Sequence, residues 1–553
     1  MPSIRKKPLR KIQYLVVTIC TIFGLLFCLS FIDPSDPPAG QSGKLVIYAD
    51  RGSFTIHRNI YGHFIEHLGR CIYDGIWVGE ESPIPNTRGI RNDVVGALRR
   101  LNVPVVRWPG GCFADNYHWM DGIGPRENRP LYITHKPRIL PDEPDDSLIE
   151  NNHFGTHEFL DFCEMIGAEP FITGNLGSGT VQELRQWVEY VNSDDVNPMS
   201  DLRKKNGHEK PWGVRYWGIG NESDGCGGTM RPEYYSDLFQ RYSTFIQWVG
   251  DSSPFMIAAG PQFDNYEWTD VLMKNAGPGA RRYRMGGLDF HYYTSIRTRL
   301  RRELSRPLLS ESAAHFGENE WFAILERATI IEELINKHDS IMDIYDPETN
   351  VGLVVGEWGT WHNVDPGTKQ EFLYMENTLR DALCAGITLN ILNRHCDRVR
   401  MANIAQMINV LQSVIKTKGD SMILTPTYHV FEMYKVHQDA LLLPCDLTCP
   451  PYRHGGKEIA GVSVSASRDM SGKIHISLCN PDPDNPLYLD CELSGKTTKR
   501  VSGRVLTASA MNSHNTFRNP DNISPAEFND FRLKHGMLTL TLPAKSVVML
   551  EIE

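Results

Sequence analysis

Eight short apolar stretches recur along the chain, at 60–65, 103–107, 170–174, 215–220, 255–259, 288–292, 352–356 and 387–392. They are rich in aliphatic and aromatic residues, show little alternation, and most meet Gly, Pro, Asn or Asp at an end. That is the form of strands buried on both faces of a parallel sheet. Between them lie stretches with helical spacing, at 92–101, 181–191, 232–249, 319–337 and 370–385. Strand alternating with helix over residues 58–424 predicts a (β/α)8 TIM barrel of the α/β class, whose chemistry sits at the C-terminal strand ends. A doubly wound open sheet would alternate in the same way, but no Gly-rich dinucleotide fingerprint follows the first strand.

Beyond about residue 425 the texture changes to short strand-like runs at 459–466, 473–479, 487–492, 500–508 and 537–552, separated by Gly, Pro, Asn and Asp. These predict a C-terminal β-sandwich over 425–553. Residues 44–57 are also strand-like and are expected to join it. At the other end, Arg5, Lys6, Lys7, Arg10 and Lys11 precede residues 14–32, which carry no charge. Residues 1–32 therefore read as a signal peptide or N-terminal membrane anchor, with a Pro-rich linker at 33–43. The expected location is outside the cytoplasm: periplasmic, cell-surface or secreted, with membrane association through 14–32 if the segment is retained.

Composition narrows the function. The formal charge of -10 over 553 residues, with a pI near 6.0, gives no basic footprint for nucleic acid. Twelve cysteines are scattered without paired metal-ligand spacing, so no zinc ribbon or finger is supported. Eleven tryptophans suit a cleft in which sugars lie against flat apolar rings.

Two of the strands end alike. Tyr216-Trp217-Gly218-Ile219-Gly220-Asn221-Glu222 and Val351-Gly352-Leu353-Val354-Val355-Gly356-Glu357 both run from apolar residues through glycine to a glutamate. Two carboxyl groups facing each other across a barrel mouth are what retaining glycosidases use, one attacking the anomeric carbon while the other protonates the leaving oxygen. Asn221 would lie at the same mouth. His291 and Tyr293, alternating on the sixth strand, can point to one side and orient a carboxylate. Arg107-Trp108-Pro109-Gly110-Gly111-Cys112-Phe113 ends the second strand with a cation able to clamp a carboxylate, and Trp358 and Trp361 are candidates for an aromatic wall. His63-x-x-Glu66-His67 also spells an inverted zinc-peptidase pattern. That motif needs a helix, whereas Gly62 and the aromatic neighbours favour a strand and loop, on which the two histidines stand too far apart for one metal.

At these residues the chain resembles the α-L-arabinofuranosidases of glycoside hydrolase family 51. The likeness runs through Phe64-Ile65-Glu66-His67-Leu68-Gly69-Arg70, Arg107-Trp108-Pro109-Gly110-Gly111, Asp121-Gly122-Ile123-Gly124-Pro125, Trp217-Gly218-Ile219-Gly220-Asn221-Glu222, Gly356-Glu357-Trp358-Gly359 and Ala405-Gln406. The resemblance implies a retaining mechanism without cofactor or metal, with Glu222 as general acid/base and Glu357 as nucleophile. It implies that Glu66, Arg107, Asn221, His291, Tyr293 and Gln406 line the pocket for a terminal arabinofuranose. Cys112 stands where many members have Asn. The expected activity is exo-acting release of arabinofuranose from arabinan, arabinoxylan or arabino-oligosaccharides, by a protein that forms homo-oligomers. The competing readings are another retaining barrel glycosidase, such as an endoglucanase or xylosidase, and a carbohydrate-binding surface protein without catalysis.

Overall fold

The computed structural model describes residues 42–553, apart from 136–147, 247–248, 250–252, 282–283, 297–308, 496–499 and 535–536. The signal or anchor segment and nearly all of the 33–43 linker lie outside the described residues. Among the described residues no helix is long and apolar enough to cross a membrane.

Eight parallel strands close into a barrel: β1 (Gly62–Phe64), β2 (Val105–Trp108), β3 (Glu169–Gly174), β4 (Tyr216–Ile219), β5 (Phe255–Ala258), β6 (Met285–Thr294), β7 (Gly352–Thr360) and β8 (Val399–Ala405). Strand β8 returns to β1 through Asn403 opposite Gly62 and Ala405 opposite Phe64. Val105, Phe171, Tyr216, Ile257, Val354 and Met401 pack into one buried apolar cluster, contributed by six of the strands. Strand side chains alternate, so Arg107 stands on the same side as Val105 and one layer nearer the C-terminal mouth. Its guanidinium lies 4.9 Å from the Phe64 ring centre and 5.9 Å from that of Phe171, which brings a fixed charge onto an apolar base.

The eighth strand differs from the sequence expectation. Residues 387–392 belong to the helix Leu379–Arg394, and the strand is Val399–Ala405. The helix is buried on every side except at Arg394, because it is wedged between barrel and sandwich. Ser477 Oγ donates to Asn390 Oδ1 at 2.7 Å, and Arg394 Nη1 donates to the Val464 carbonyl at 2.9 Å. A helix with no wet face has no 3.6-residue polar stripe, and its apolar run imitates a buried strand.

The sandwich consists of two sheets. In one, the N-terminal strand Ser42–Tyr48 lies between Cys445–Thr448, antiparallel, and Leu487–Ser494, parallel, with Met537–Leu542 and Phe531–Lys534 beyond. In the other, Ser463–Arg468, Ile474–Asn480, Ser546–Ile552 and Val501–Leu506 pair antiparallel in that order. Leu45 and Ile47 from the first sheet bury against Ile476, Leu478 and Leu550 from the second. The sandwich is also pinned to the barrel by Trp321, whose Nε1 donates to the Pro481 carbonyl at 2.8 Å.

Candidate active site

A 690 Å³ cavity opens at the C-terminal mouth of the barrel, lined by Glu66, Cys112, Glu222, Tyr293, Glu357, Trp361 and Gln406 among others. One carboxylate oxygen each of Glu222 and Glu357, with a ring nitrogen of His291, all lie within 4.8 Å of one another.

Glu357 is aimed there by a bulge. Phe290 on β6 faces Val355 on β7, whereas the next residue, His291, faces Glu357, so Gly356 is the extra residue. Such an insertion re-aims the side chain that follows it. The position has to be glycine, since a Cβ would lie 2.2 Å from the Asp289 carboxylate, and the bare Gly356 N–H donates to Asp289 Oδ1 at 2.6 Å. Once turned inward, Glu357 Oε1 accepts from Arg107 Nη1 at 2.6 Å and Oε2 accepts from the Tyr293 hydroxyl at 2.7 Å. Gly111 meets the same limit, because a Cβ there would sit 2.7 Å from Glu357 Oε1.

Burial pushes the Glu357 carboxyl up, but the charges of His291 and Arg107 and the hydrogen bonds from Arg107 and Tyr293 outweigh it. They hold the carboxyl below the usual carboxylate range. Burial alone would depress the His291 imidazole. The carboxylates of Glu357 and Asp289, and hydrogen bonds to Asp289 and Glu222, reverse this and raise its pKa well above the ordinary histidine value. As an imidazolium, His291 donates from Nδ1 to Glu222 Oε1 at 2.8 Å and from Nε2 to Asp289 Oδ2 at 3.2 Å.

Glu222 follows Gly220, at φ +84°, and itself sits at φ +37°, a left-handed conformation uncommon for a residue with a side chain. Its carbonyl is held by the N–H groups of Gly225 and Gly227, and its Oε2 accepts from Gln262 Nε2 at 2.8 Å. Asp115 secures the same turn from behind, accepting from the N–H groups of Leu176, Gly177 and Asn221 at 2.8 to 3.0 Å. Burial raises its pKa to about 6, against the pull of those three donors.

Glu66, just past β1, closes the floor. Its Oε1 accepts from the N–H groups of Gly111 and Phe113, and its Oε2 accepts from Gln406 Nε2 at 2.9 Å. Burial and the nearby Glu357 charge raise the Glu66 carboxyl to about 7. Among the described residues Gln406 Oε1 is buried without a hydrogen-bond partner, leaving an acceptor at the floor for a hydroxyl. Asn221 Oδ1 accepts from Arg107 Nη2, so Arg107 joins the two strand ends that carry the glutamates.

Other expectations fare differently. Trp361 lines the cavity, edge-on to Tyr293 with ring centres 5.0 Å apart. Trp358 is no part of an aromatic wall: it is 2% exposed and stacks on Phe431 below the mouth. The side chains of the H-x-x-E-H stretch go to separate places. His63 packs against Phe431, Glu66 turns to the cavity, and His67 takes a hydrogen bond from Trp108 Nε1 and pairs with Glu150 at 2.7 Å. Cys112 reaches the cavity, but it is bonded to Cys226 in a disulfide, so it has no thiol hydrogen for a sugar. Asp115, Gln262, Asp289 and Cys226 escaped the sequence reading as site residues. Only Asp289, two residues before His291 on one strand face, carried a positional signal.

Comparison with known proteins agrees with this geometry. A family model described as α-L-arabinofuranosidase 1 domain matches residues 97–305, and one described as α-L-arabinofuranosidase C-terminal domain matches residues 356–546. An intracellular exo-α-L-arabinofuranosidase of Bacteroides ovatus is 47% identical over 93% of this chain and 96% of its own. The crystal structure of a family 51 arabinofuranosidase from Xanthomonas axonopodis pv. citri superposes with a TM-score of 0.87 at 43% identity, over 93% of this chain and all of that one. An arabinose complex of the Thermotoga maritima α-L-arabinofuranosidase gives 0.78 at 29% identity, with the same coverage. The expectation of an exported or membrane-anchored protein is corrected here, because the Bacteroides relative, matched over nearly its whole length, is named as intracellular. The basic and apolar N-terminal stretch was the sole ground for export. The chain belongs to the α-L-arabinofuranosidases of glycoside hydrolase family 51.

Proposed function

We propose that the chain removes terminal α-L-arabinofuranosyl residues from the non-reducing ends of arabino-oligosaccharides, and of arabinan or arabinoxylan fragments, with retention of configuration. The observation that carries this reading is the grouping of Glu222, His291 and Glu357 donor atoms within 4.8 Å at the base of one cavity. Retaining glycosidases place their carboxyl groups about 5 to 5.5 Å apart, whereas inverting ones leave room for a water between them. Glu357, kept ionised by Arg107 and His291, attacks the anomeric carbon while Glu222 gives a proton to the leaving oxygen. Glu222 then takes a proton from water, which displaces the sugar from Glu357. The short His291–Glu222 contact provides a path along which that proton can be shared. Glu66, Asn221 and Gln406 bind ring hydroxyls, and the closed floor under them limits cleavage to chain ends. Trp361 flanks the bond that is cut. The name of the Bacteroides relative supports an intracellular place, where short oligosaccharides are the accessible substrates. The family resemblance favours a self-associating chain, and light scattering on the full chain should give a mass above that of one protomer.

The test is a panel of aryl glycosides followed by sugar analysis on arabinan and arabinoxylan oligosaccharides. Turnover should be confined to α-L-arabinofuranosides, with arabinose as the first and only small product. Faster turnover of xylosides or cello-oligosaccharides, or binding of arabinosides without cleavage, would contradict the proposal.

A second expectation concerns pH. Glu357 attacks only when ionised, so the acid limb of kcat/KM follows its pKa. Replacing His291 by Asn removes a positive charge that favours the carboxylate, so the pKa of Glu357 rises and the acid limb moves to higher pH, by about one unit or more. A folded His291→Asn protein with an unmoved acid limb would show that His291 does not tune Glu357.

A further inference from the structure

The bond between Cys112 and Cys226 joins the loop after β2 to the turn that carries Glu222, across 114 residues of sequence. Both cysteines are exposed at the cavity mouth, while the eight free cysteines among the described residues are buried or half-buried. This bond is therefore the cystine that a reductant reaches from solvent. Cys226 Sγ lies 3.5 Å from Glu222 Oε2, and one donor atom each from Cys112, Cys226 and Glu222 lie within 4.8 Å of one another.

We propose that the reduced protein has a site for one thiophilic divalent cation, such as Zn²⁺, formed by Cys112, Cys226 and Glu222. Opening the site requires a two-electron reductant. A low-molecular-weight dithiol gives two electrons and two protons to the Cys112–Cys226 bond and leaves as a cyclic disulfide, producing two thiols. Binding of the cation then releases the two thiol protons, together with the Glu222 proton when that carboxyl carries one. A tetrahedral d¹⁰ ion takes thiolates at about 2.3 Å and a carboxylate oxygen at about 2.0 to 2.2 Å, which sets neighbouring donors roughly 3.5 to 3.8 Å apart. The two Cα atoms stand 5.7 Å apart, close enough for both thiolates to turn onto one ion once the sulfurs part. Two soft thiolates select against Mg²⁺ and Ca²⁺. Glu222 Oε2 would exchange its Gln262 hydrogen bond for the metal, while Oε1 keeps its contact with His291. Water completes the fourth position from the cavity side.

The consequence for hydrolysis rests on the role proposed for Glu222. A carboxylate bound to a cation cannot hold the proton that the leaving oxygen needs. The reduced enzyme would then be inhibited by thiophilic ions and restored by a chelator, and the oxidised enzyme would be indifferent to them.

The experiment uses the full chain, reduced with dithiothreitol, desalted anaerobically and titrated with Cd²⁺, whose thiolate charge-transfer absorption reports binding without any reference to activity. Oxidised protein and reduced Cys226→Ser, Cys112→Ser and Glu222→Gln proteins are titrated in parallel. The reduced wild type should bind one more equivalent than the oxidised protein and than either cysteine variant, and Glu222→Gln should bind that equivalent at least about tenfold more weakly. Hydrolysis by the reduced wild type, relative to its own metal-free rate, should fall about 100-fold, as expected for loss of general acid–base assistance, and return with EDTA. Equal binding by oxidised and reduced protein, or wild-type binding by reduced Cys226→Ser, would overturn the site. Unchanged affinity in Glu222→Gln would remove the glutamate from it. An error in the proposed role of Glu222 would leave the absorption titration intact and appear instead in the kinetics of Glu222→Ala, so the two failures are distinguishable.

Discussion

Glu357→Ala should lower kcat on an aryl arabinofuranoside by about 10⁴-fold or more, the scale seen when a covalent nucleophile is removed. That corresponds to roughly 5.5 kcal/mol of transition-state stabilisation. Glu357 is the residue on which Arg107, Tyr293 and His291 converge, and its lowered pKa keeps it ionised, as the proposed attack requires. Removing it leaves two buried cations with fewer anions around them, so folding should be checked by circular dichroism. Glu357→Gln, which preserves the shape and an acceptor for Arg107, serves as the second variant. Azide added to Glu357→Ala should enter the vacated space and give an arabinofuranosyl azide of inverted configuration. Turnover near that of the wild type would remove Glu357 from the mechanism.

Glu222→Ala should show a loss that depends on the leaving group. Oligosaccharides and alkyl arabinofuranosides leave as basic alkoxides and need the proton, so their kcat/KM should fall by about 10² to 10⁴-fold. A dinitrophenyl arabinofuranoside leaves unaided, and its kcat/KM should fall by no more than about tenfold. With this substrate the second step is impaired instead, because water is no longer deprotonated, and azide should accelerate turnover and give a product of retained configuration. Equal losses on good and poor leaving groups would show that Glu222 serves positioning rather than proton transfer.

The alternation of apolar strands with helices was enough to read the barrel, because parallel strands buried on both faces leave a strong and repeated pattern. It failed at 387–392, where a helix without a wet face has lost the signal that separates helix from strand. The two glutamates stood out because each follows an apolar run and a glycine. The glycines have a physical reason in the fold: Gly356 is the bulge that turns Glu357 inward, and Gly220 begins the left-handed turn that presents Glu222. Asp115, Gln262 and Cys226 were not legible, since each lies outside the barrel strands and long helices and acts on a residue far away in sequence. The disulfide was equally hidden, because twelve cysteines without motif spacing allow many pairings. The H-x-x-E-H stretch illustrates the reverse case. Its spacing fits a known metal motif, but its residues lie on a strand end and in the loop beyond, and they point in different directions.

In the proposed reaction Glu357 forms a bond to the sugar while Glu222 serves the other side of that carbon. Intact-mass and peptide analysis of Glu222→Ala, quenched in acid during turnover of dinitrophenyl arabinofuranoside, detects that bond. One anhydroarabinose per chain should be found, attached to the peptide that contains Glu357 and discharged by azide. Attachment to another residue, or full turnover with an inverted product and no adduct at any time, would contradict it.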